Sequence, residues 1–161
     1  MSAIESQPPE HPTQPVSQLV ELYWERAHRF AAMWTHHDGT LAGDEEALHD
    51  MRVASRRLRA ALDVFAVAFH SAEFRRLRRL TARLTDELGG VRDRDVLLLT
   101  LRRYREGVPS DEQAGIDDLM AALSAEREIA RRRLRRFFAR LATADYADRM
   151  QLIALPESAD G

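Results

Sequence analysis

Hydrophobic positions along this chain recur every three to four residues, which is the spacing of amphipathic helices. No segment shows the strict alternation of apolar and polar residues that marks a half-buried strand, and the connections between the helical stretches are short. The pattern predicts an all-α fold: an antiparallel helical bundle of four main helices with short additional ones.

Capping residues, glycines and prolines set the expected helix boundaries. Ser17 is expected to cap the first helix, and Gly89-Gly90 to stop the third. The expected helices cover, in order, residues 17–37, 44–70, 72–88, 93–106, 110–141 and 145–155. Residues 1–16, which contain four prolines, and residues 156–161 are expected to be disordered tails, which leaves one domain over residues 17–155.

Composition fits one globular helical domain. The 161 residues are 45% hydrophobic and 31% charged, with few glycines and prolines. Because the chain has no cysteine, disulfides, thiolate chemistry and cysteine-ligated zinc are excluded. No signal segment and no membrane-spanning apolar run is found, which predicts a cytoplasmic protein that makes no membrane contact.

The charges are segregated along the chain, although the formal net charge is only −2. Residues 51–106 carry 14 arginines against seven acids, residues 1–50 carry two against nine, and residues 107–161 carry eight against ten. All 24 basic residues are arginine, whose planar guanidinium binds phosphate in a bidentate manner. A GC-rich genome would also favour arginine over lysine, so the placement of the arginines has to carry the interpretation.

The segment from His49 to Arg59 places its cations on one helix face. At about 100° per residue, His49, Arg52, Arg56 and Arg59 share an arc of about 80° and rise about 15 Å. These four residues are called the stripe below; the apolar residues fall opposite them, and Arg57 lies off the stripe. Such a face suits a linear chain of phosphates, and the alternative is a solvated face paired to acids of a neighbouring helix.

Two further arginine clusters accompany the stripe. Three of these arginines lie opposite the apolar face of the third helix: Arg75, Arg79 and Arg83. If the second and third helices are antiparallel neighbours, both sets could border one groove. In the fifth helix, Arg132, Arg133 and Arg136 are secondary candidates, because Glu128 precedes Arg132 by one helical turn and such pairs often only support a helix.

Other classes of function find less support. The candidate arginine faces hold almost no aromatic residues for stacking on bases, and the flanking thirds are acidic, which disfavours nucleic acid as a partner. His36 and His37 diverge on a helix and form no metal-binding spacing with His49, so neither a metal nor a cofactor is expected. No phosphate loop, nucleophile elbow or carboxylate pair is found, so no catalytic residue is assigned and the chain is not expected to be an enzyme.

Two alternatives to the selective binding of a linear phosphate chain stay open at this point. One is a histidine phosphotransfer bundle with His49 as the phosphoacceptor, although a face of four cations without lysine suits retention of an anion better than transient transfer. The other is a less selective binder of polyanions or nucleic acids, because counterion release acts on any polyphosphate backbone.

The motif H-D-M-R-V-A-S-R-R-L-R over residues 49–59, followed by L-G-G-V-R-D-R-D-V over residues 88–96, resembles the CHAD family of conserved-histidine α-helical domains. The resemblance implies helical bundles around a basic channel that binds inorganic polyphosphate without catalysis. It carries over to the following residues of the two motifs: His49, Arg52, Arg56, Arg57, Arg59, Arg92, Asp93 and Asp95. We interpret Asp93 and Asp95 as caps at the start of the fourth helix, and the others as binding residues.

The resemblance covers the first half of the usual domain, which has two related four-helix halves. No second helix of the histidine-and-arginine type follows in this chain. Two copies related by a twofold axis would restore two halves and place one stripe against the other, so a homodimer that completes the basic channel is a hypothesis. The resemblance also suggests association with polyphosphate granules.

Overall fold

The computed structural model describes residues 14–66 and 69–152, and this part of the chain folds into six helices without a strand. The helices are α1 (Gln14–Thr35), α2 (Asp38–Ala42), α3 (Glu45–Phe65), α4 (Ala72–Glu106), α5 (Gln113–Thr143) and α6 (Tyr146–Leu152). Four helices are long and two are short, so the all-α prediction is confirmed. Most of the expected tails, residues 1–13 and 156–161, lies outside the described residues.

Local capping sets the starts of α3 and α4. The Asp44 carboxylate accepts hydrogen bonds from the backbone N–H groups of Glu46 and Ala47 at 2.9 and 3.1 Å, so α3 begins where the sequence predicts. The Ser71 hydroxyl accepts one from the Phe74 N–H at 3.0 Å and caps α4 in the same way.

Two other boundaries differ from expectation. Helix α1 begins at Gln14 rather than at Ser17, because Pro15 fits a first helical turn, where its missing N–H breaks no helical hydrogen bond. Helix α3 ends at Phe65 rather than near His70. The helical spacing continued in the sequence past the point where the helix stops.

The predicted helix break at Gly89-Gly90 is wrong, because α4 runs without interruption from Ala72 to Glu106. Glycine inside a helix costs about 1 kcal/mol relative to alanine, an amount that tertiary packing readily offsets. Gly89 is buried, and a Cβ added there would lie 3.6 Å from Arg52 Nε. This distance is an ordinary van der Waals contact, so Arg52 lies directly over the middle of α4 at Gly89.

The helices pack in order around one core. Helix α3 lies between α1 and α4, α4 lies between α3 and α5, and α6 packs against α1, α4 and α5. Ion pairs show that α3 and α4 are antiparallel: Asp63 meets Arg78 near the connection, and Arg52 meets Asp93 at the far end. Because α6 also touches both outer helices, it closes the side of the bundle between α1 and α5.

Helix α6 is held by buried tyrosine hydrogen bonds. Tyr146 is 1% exposed, shares a 2.5 Å hydrogen bond with the Thr81 hydroxyl, and packs edge-on against Phe30. The Tyr23 hydroxyl donates to the Met150 backbone carbonyl at 2.9 Å. Burial raises the pKa of both tyrosines, which keeps their hydroxyls neutral and able to donate. These contacts lock α1, α4 and α6 together.

Helices α4 and α5 extend past the bundle. At about 1.5 Å per residue, the 35 residues of α4 span about 52 Å, whereas the 21 residues of α3 span about 31 Å. The start of α3 reaches α4 at Asp93. Beyond that point, residues 96–130 of α4, α5 and their connection form a projecting pair of helices, called the α4–α5 hairpin below.

Candidate functional site

The stripe lies on the edge of α3 that adjoins α4. The buried face of α3 consists of Leu48, Met51, Ala54, Ser55, Leu58, Ala61, Leu62 and Phe65. His49 and Arg56 are exposed, while Arg52 and Arg59 are partly covered. The separation of cations from the core, which the spacing predicts, is therefore present in the fold.

Two of the four stripe residues meet acids of α4. Arg52 Nη2 lies 3.7 Å from Asp93 Oδ1, and Arg59 Nη1 lies 3.1 Å from Asp86 Oδ1. The two carboxylates are 73% and 71% exposed, so water screens both pairs. Pairing to a neighbouring helix, the alternative that the sequence left open, thus accounts for half of the stripe.

The other half of the stripe is unpaired. Among the residues that the structure describes, neither the His49 side chain nor the Arg56 side chain has a hydrogen-bond or ion-pair partner. Arg57 is also exposed, but it lines a cleft beside Leu22 of α1, which confirms that it lies off the stripe. His49 and Arg56 therefore present unshared donors on the edge where Arg52 and Arg59 hold exposed acids.

The arginines of α4 point in different directions. Arg75 donates to the His70 backbone carbonyl, whereas Arg79 is exposed and bonds to none of the described residues. Arg83 faces α5, where its guanidinium carbon lies 4.9 Å from the centre of the Phe137 ring. The three arginines therefore do not border one groove with the stripe, because Arg83 belongs to the opposite side of α4.

The α5 cluster is partly engaged. Arg133 forms a 3.3 Å ion pair with an acid of α4, and Glu128 accepts a 2.9 Å hydrogen bond from Arg135, which lowers the pKa of that carboxyl. Arg132 and Arg136 are exposed and form no hydrogen bond within the described ranges. The sequence suggested a pair between Glu128 and Arg132. In the structure, the hydrogen-bond partner of Glu128 is Arg135 instead.

A buried charge cluster, which sequence reasoning missed, joins α4 to α5. The Asp95 side chain is 0% exposed, Arg127 Nη1 donates to its Oδ1 at 3.2 Å, and Arg131 Nη2 lies 4.0 Å from the same oxygen. We call these three residues the Asp95 junction. Asp95 Oδ2, Arg127 Nε and Arg131 Nε are buried and have no hydrogen-bond partner among the described atoms.

Gly43 ties the Asp95 junction to the turn between α2 and α3. Its carbonyl accepts a 3.3 Å hydrogen bond from Arg131 Nη2. Gly43 has φ 101°, a left-handed conformation that glycine adopts without strain, and a Cβ there would overlap Arg131 Nη1. The junction therefore fixes the start of α3, and with it the position of His49, against α5.

The motif at residues 88–96 is built into the middle of α4. Asp95 continues a core stripe of this helix formed by Leu84, Leu88, Val91, Asp95 and Leu98. A polar residue among the regularly spaced apolar residues of α4 was the sequence signal for the junction. The expected break at Gly89-Gly90 concealed it, because it divided this helix in two. The capping roles predicted for Asp93 and Asp95 are wrong, because Asp93 pairs with Arg52 and Asp95 is buried. Arg92 is partly covered and unpaired within the described residues.

Two searches of the described residues bear on other functions. No group of three or more histidine, cysteine or acidic side chains lies close enough to hold a metal ion. None of the described helices combines the length and the apolar character needed to cross a membrane.

Comparison with known proteins identifies the family of this chain. No curated protein and no solved structure matches the chain. The family model for the CHAD domain matches residues 26–158, a span that includes the stripe, the Asp95 junction and α6. Because this match covers most of the sequence, the chain belongs to the CHAD domain family.

Proposed function

We propose that this chain binds inorganic polyphosphate, without catalysing a reaction, along the stripe of α3. The observation that carries the proposal is that His49 and Arg56 are exposed and have no partner among the described residues. They lie beside Arg52 and Arg59, whose partners are exposed acids. CHAD domains are linked in general to polyphosphate binding and are generally binding domains rather than enzymes. The assignment to these four side chains is the new part of the proposal.

The geometry suits a linear polyanion. The stripe offers a donor at nearly every turn over about 15 Å, and each guanidinium can take two phosphate oxygens through charge-assisted hydrogen bonds. Arg79 of α4, which is exposed and unpaired within the described residues, extends the cationic surface past the stripe.

The acids beside the stripe do not block binding. Exposed ion pairs are worth about 0–1 kcal/mol, so a phosphate chain can replace Asp86 and Asp93 at small cost. The remaining candidates fit less well: Arg75 is engaged by a backbone carbonyl, and Arg83 lies on the α5 side.

A binding titration tests the proposal. Long-chain polyphosphate, tripolyphosphate and duplex DNA, matched in phosphate concentration, are titrated at several salt concentrations. We expect long polyphosphate to bind most tightly and salt to weaken it steeply, because bound cations are released. If DNA displaces polyphosphate at equal phosphate concentration, the chain is a general polyanion binder instead.

The double variant Arg52→Ala/Arg56→Ala locates the site. We expect at least a tenfold loss of polyphosphate affinity and a flatter dependence on salt, by about 0.7–0.9 log units per lost phosphate contact. Helicity and melting should stay close to those of the unmodified chain, because Arg56 is exposed and the pair of Arg52 with Asp93 is screened by water, which makes it worth about 0–1 kcal/mol.

The matched control is Arg26→Ala/Arg29→Ala. It also removes two arginines, but from α1, which does not contact α4. Unlike Arg52, neither of them has an acid partner among the described residues. Equal losses of affinity for the two double variants would mean that net charge, not the stripe, governs binding.

The exposure of His49, which has no side-chain partner in the described part of the chain, also supports a second candidate, histidine phosphotransfer. Incubation with a small phosphodonor and measurement of the intact mass decide this. Polyphosphate binding predicts no covalent phosphate, whereas an acid-labile phosphate that disappears in His49→Ala would support phosphotransfer.

A further inference from the structure

The α4–α5 hairpin has no hydrophobic core of its own. Leu98 and Leu134 are the last buried residues on its two helices, and none of residues 99–133 between them is buried. Elsewhere, α4 buries residues against α3 and α6, and α5 buries residues against α6. Two helices alone cannot enclose a core, so this segment is stabilised less than the rest of α4 and α5.

Large hydrophobic side chains are nevertheless concentrated on this segment. Six of the nine exposed large hydrophobics in the described residues belong to it: Val96, Leu97, Leu99, Tyr104, Leu119 and Ile129, with exposures of 39–64%. Clustered exposed apolar residues of this kind mark interaction surfaces more often than isolated ones do. The α4–α5 hairpin is therefore a surface that a partner would cover.

The charges of the hairpin identify the partner. In α4, residues 96–106 carry three arginines and one acid, and in α5, residues 113–126 carry three acids and no arginine. Arg105 pairs with Asp117 at 2.6 Å, and Glu126 pairs with Arg94 of α4 at 3.1 Å. Arg102 and Arg103 of α4 and Asp118 of α5 have no ion-pair partner within the described residues, and neither has Glu112, which lies directly before α5. One helix of the hairpin is left basic and the other acidic, so the surface is complementary to itself.

We propose that the α4–α5 hairpin packs against the same hairpin of a second copy, with α4 of each copy against α5 of the other. A twofold axis satisfies both charge contacts at once and closes the assembly at two copies. The four helices then bury the exposed apolar side chains that lie on the joined faces of the two hairpins. This interface does not rest on polyphosphate binding.

The proposed interface differs from the dimer that the sequence suggested. Packing one stripe against another would bring arginines of like charge together, which is unfavourable without a bound anion. The hairpin interface instead joins opposite charges and leaves the stripes of both copies open. It therefore predicts a dimer in the absence of polyphosphate.

Light scattering coupled to size exclusion tests the interface, over a range of protein concentrations and without polyphosphate. We expect a mass of twice the 18.4 kDa of one chain. The variant Leu99→Glu/Leu119→Glu should be monomeric, because it places acids on the apolar surface of the hairpin. The control Val64→Glu changes a side chain that is 56% exposed on α3, outside the hairpin, and should leave the dimer intact.

Charge exchange tests the pairing of α4 with α5. Arg102→Glu/Arg103→Glu should weaken dimerisation at least tenfold, and Glu112→Arg/Asp118→Arg should do the same. The variant with all four changes should dimerise again. A monomeric unmodified chain at every concentration, dissociation by Val64→Glu, or no rescue in the fourfold variant would each overturn the proposal, whether or not polyphosphate binds to the stripe.

Discussion

Arginine pairs with aspartate in two regions of this molecule, the stripe and the Asp95 junction. The two regions differ in how deeply the charged side chains are buried. At the stripe, Arg52 and Arg59 are 31% and 40% exposed, and their aspartates are more than 70% exposed. At the Asp95 junction, the arginines are 24% and 18% exposed and the shared aspartate is 0% exposed. The first region can exchange its acids for another anion, whereas the second region holds its acid inside the fold.

The comparison teaches that arginine count and helical phase do not by themselves distinguish a binding arginine from a structural one. Arg131 and Arg132 are neighbours in one arginine run, yet the first is part of the buried junction and the second is exposed and not hydrogen-bonded to a described residue. What separates them is which helix they face, and this depends on tertiary packing.

Among these predictions, removal of the buried acid Asp95 should have the largest effect on stability. We expect Asp95→Ala to lower the free energy of unfolding by about 3–5 kcal/mol, because it leaves Arg127 and Arg131 as poorly solvated, unpaired charges. Denaturant unfolding measures this. The matched control is Asp93→Ala, two residues away on the same helix, which should cost about 1 kcal/mol or less because its pair is exposed. Similar costs for both variants would show that the burial of Asp95 does not distinguish it.

Much of the fold could be predicted from the sequence because helical periodicity and caps are local signals. The Asp44 cap and the phase of the stripe are examples. The prediction of a break at Gly89-Gly90 is wrong because it used only the local preference of glycine. The buried face of α4 continues through Val91 and Leu98, and its packing against other helices keeps the chain helical. The free-energy cost of glycine in a helix is small compared with the stabilisation that a 35-residue helix gains by packing against its neighbours.

The site could be predicted only in part. The residues that share the stripe follow from about 100° of rotation per residue, which needs no knowledge of other helices. The partners of those residues, Asp86 and Asp93, depend on how α4 is rotated against α3. The direction of Arg83 toward α5 depends on the same rotation, which no pattern within one helix reveals.

The glycine at the edge of the Asp95 junction should have an intermediate effect. Gly43→Ala forces a left-handed residue and pushes Arg131 away from the Gly43 carbonyl, which should cost about 1–3 kcal/mol. The control is Gly115→Ala in α5, where no atom lies within 4 Å of the added Cβ. That change should instead stabilise the protein by about 0.5–1 kcal/mol. A neutral Gly43→Ala would mean that the turn and the junction are not coupled.

Removal of the two acids beside the stripe should have the smallest effect on stability, and its effect on polyphosphate binding tests the proposed site. Asp86→Asn/Asp93→Asn removes the acids that face Arg52 and Arg59. Because both pairs are exposed, the melting temperature should change by only a few degrees, in line with about 0.2–1 kcal/mol per pair. Polyphosphate affinity should instead rise severalfold, because the phosphate chain no longer competes with two carboxylates, and about 1.4 kcal/mol corresponds to a tenfold change.

The gain should shrink as salt is added, since the competition is electrostatic and takes place in water. Asp117→Asn is the control, because it removes an exposed acid that is also paired with an arginine, but on the hairpin. Its effect on polyphosphate affinity should be much smaller at every salt concentration. Asp117→Asn removes one negative charge and the double variant removes two. If the control gives half of the gain in binding free energy, the gain comes from net charge alone, and the stripe does not compete with its own acids for the ligand.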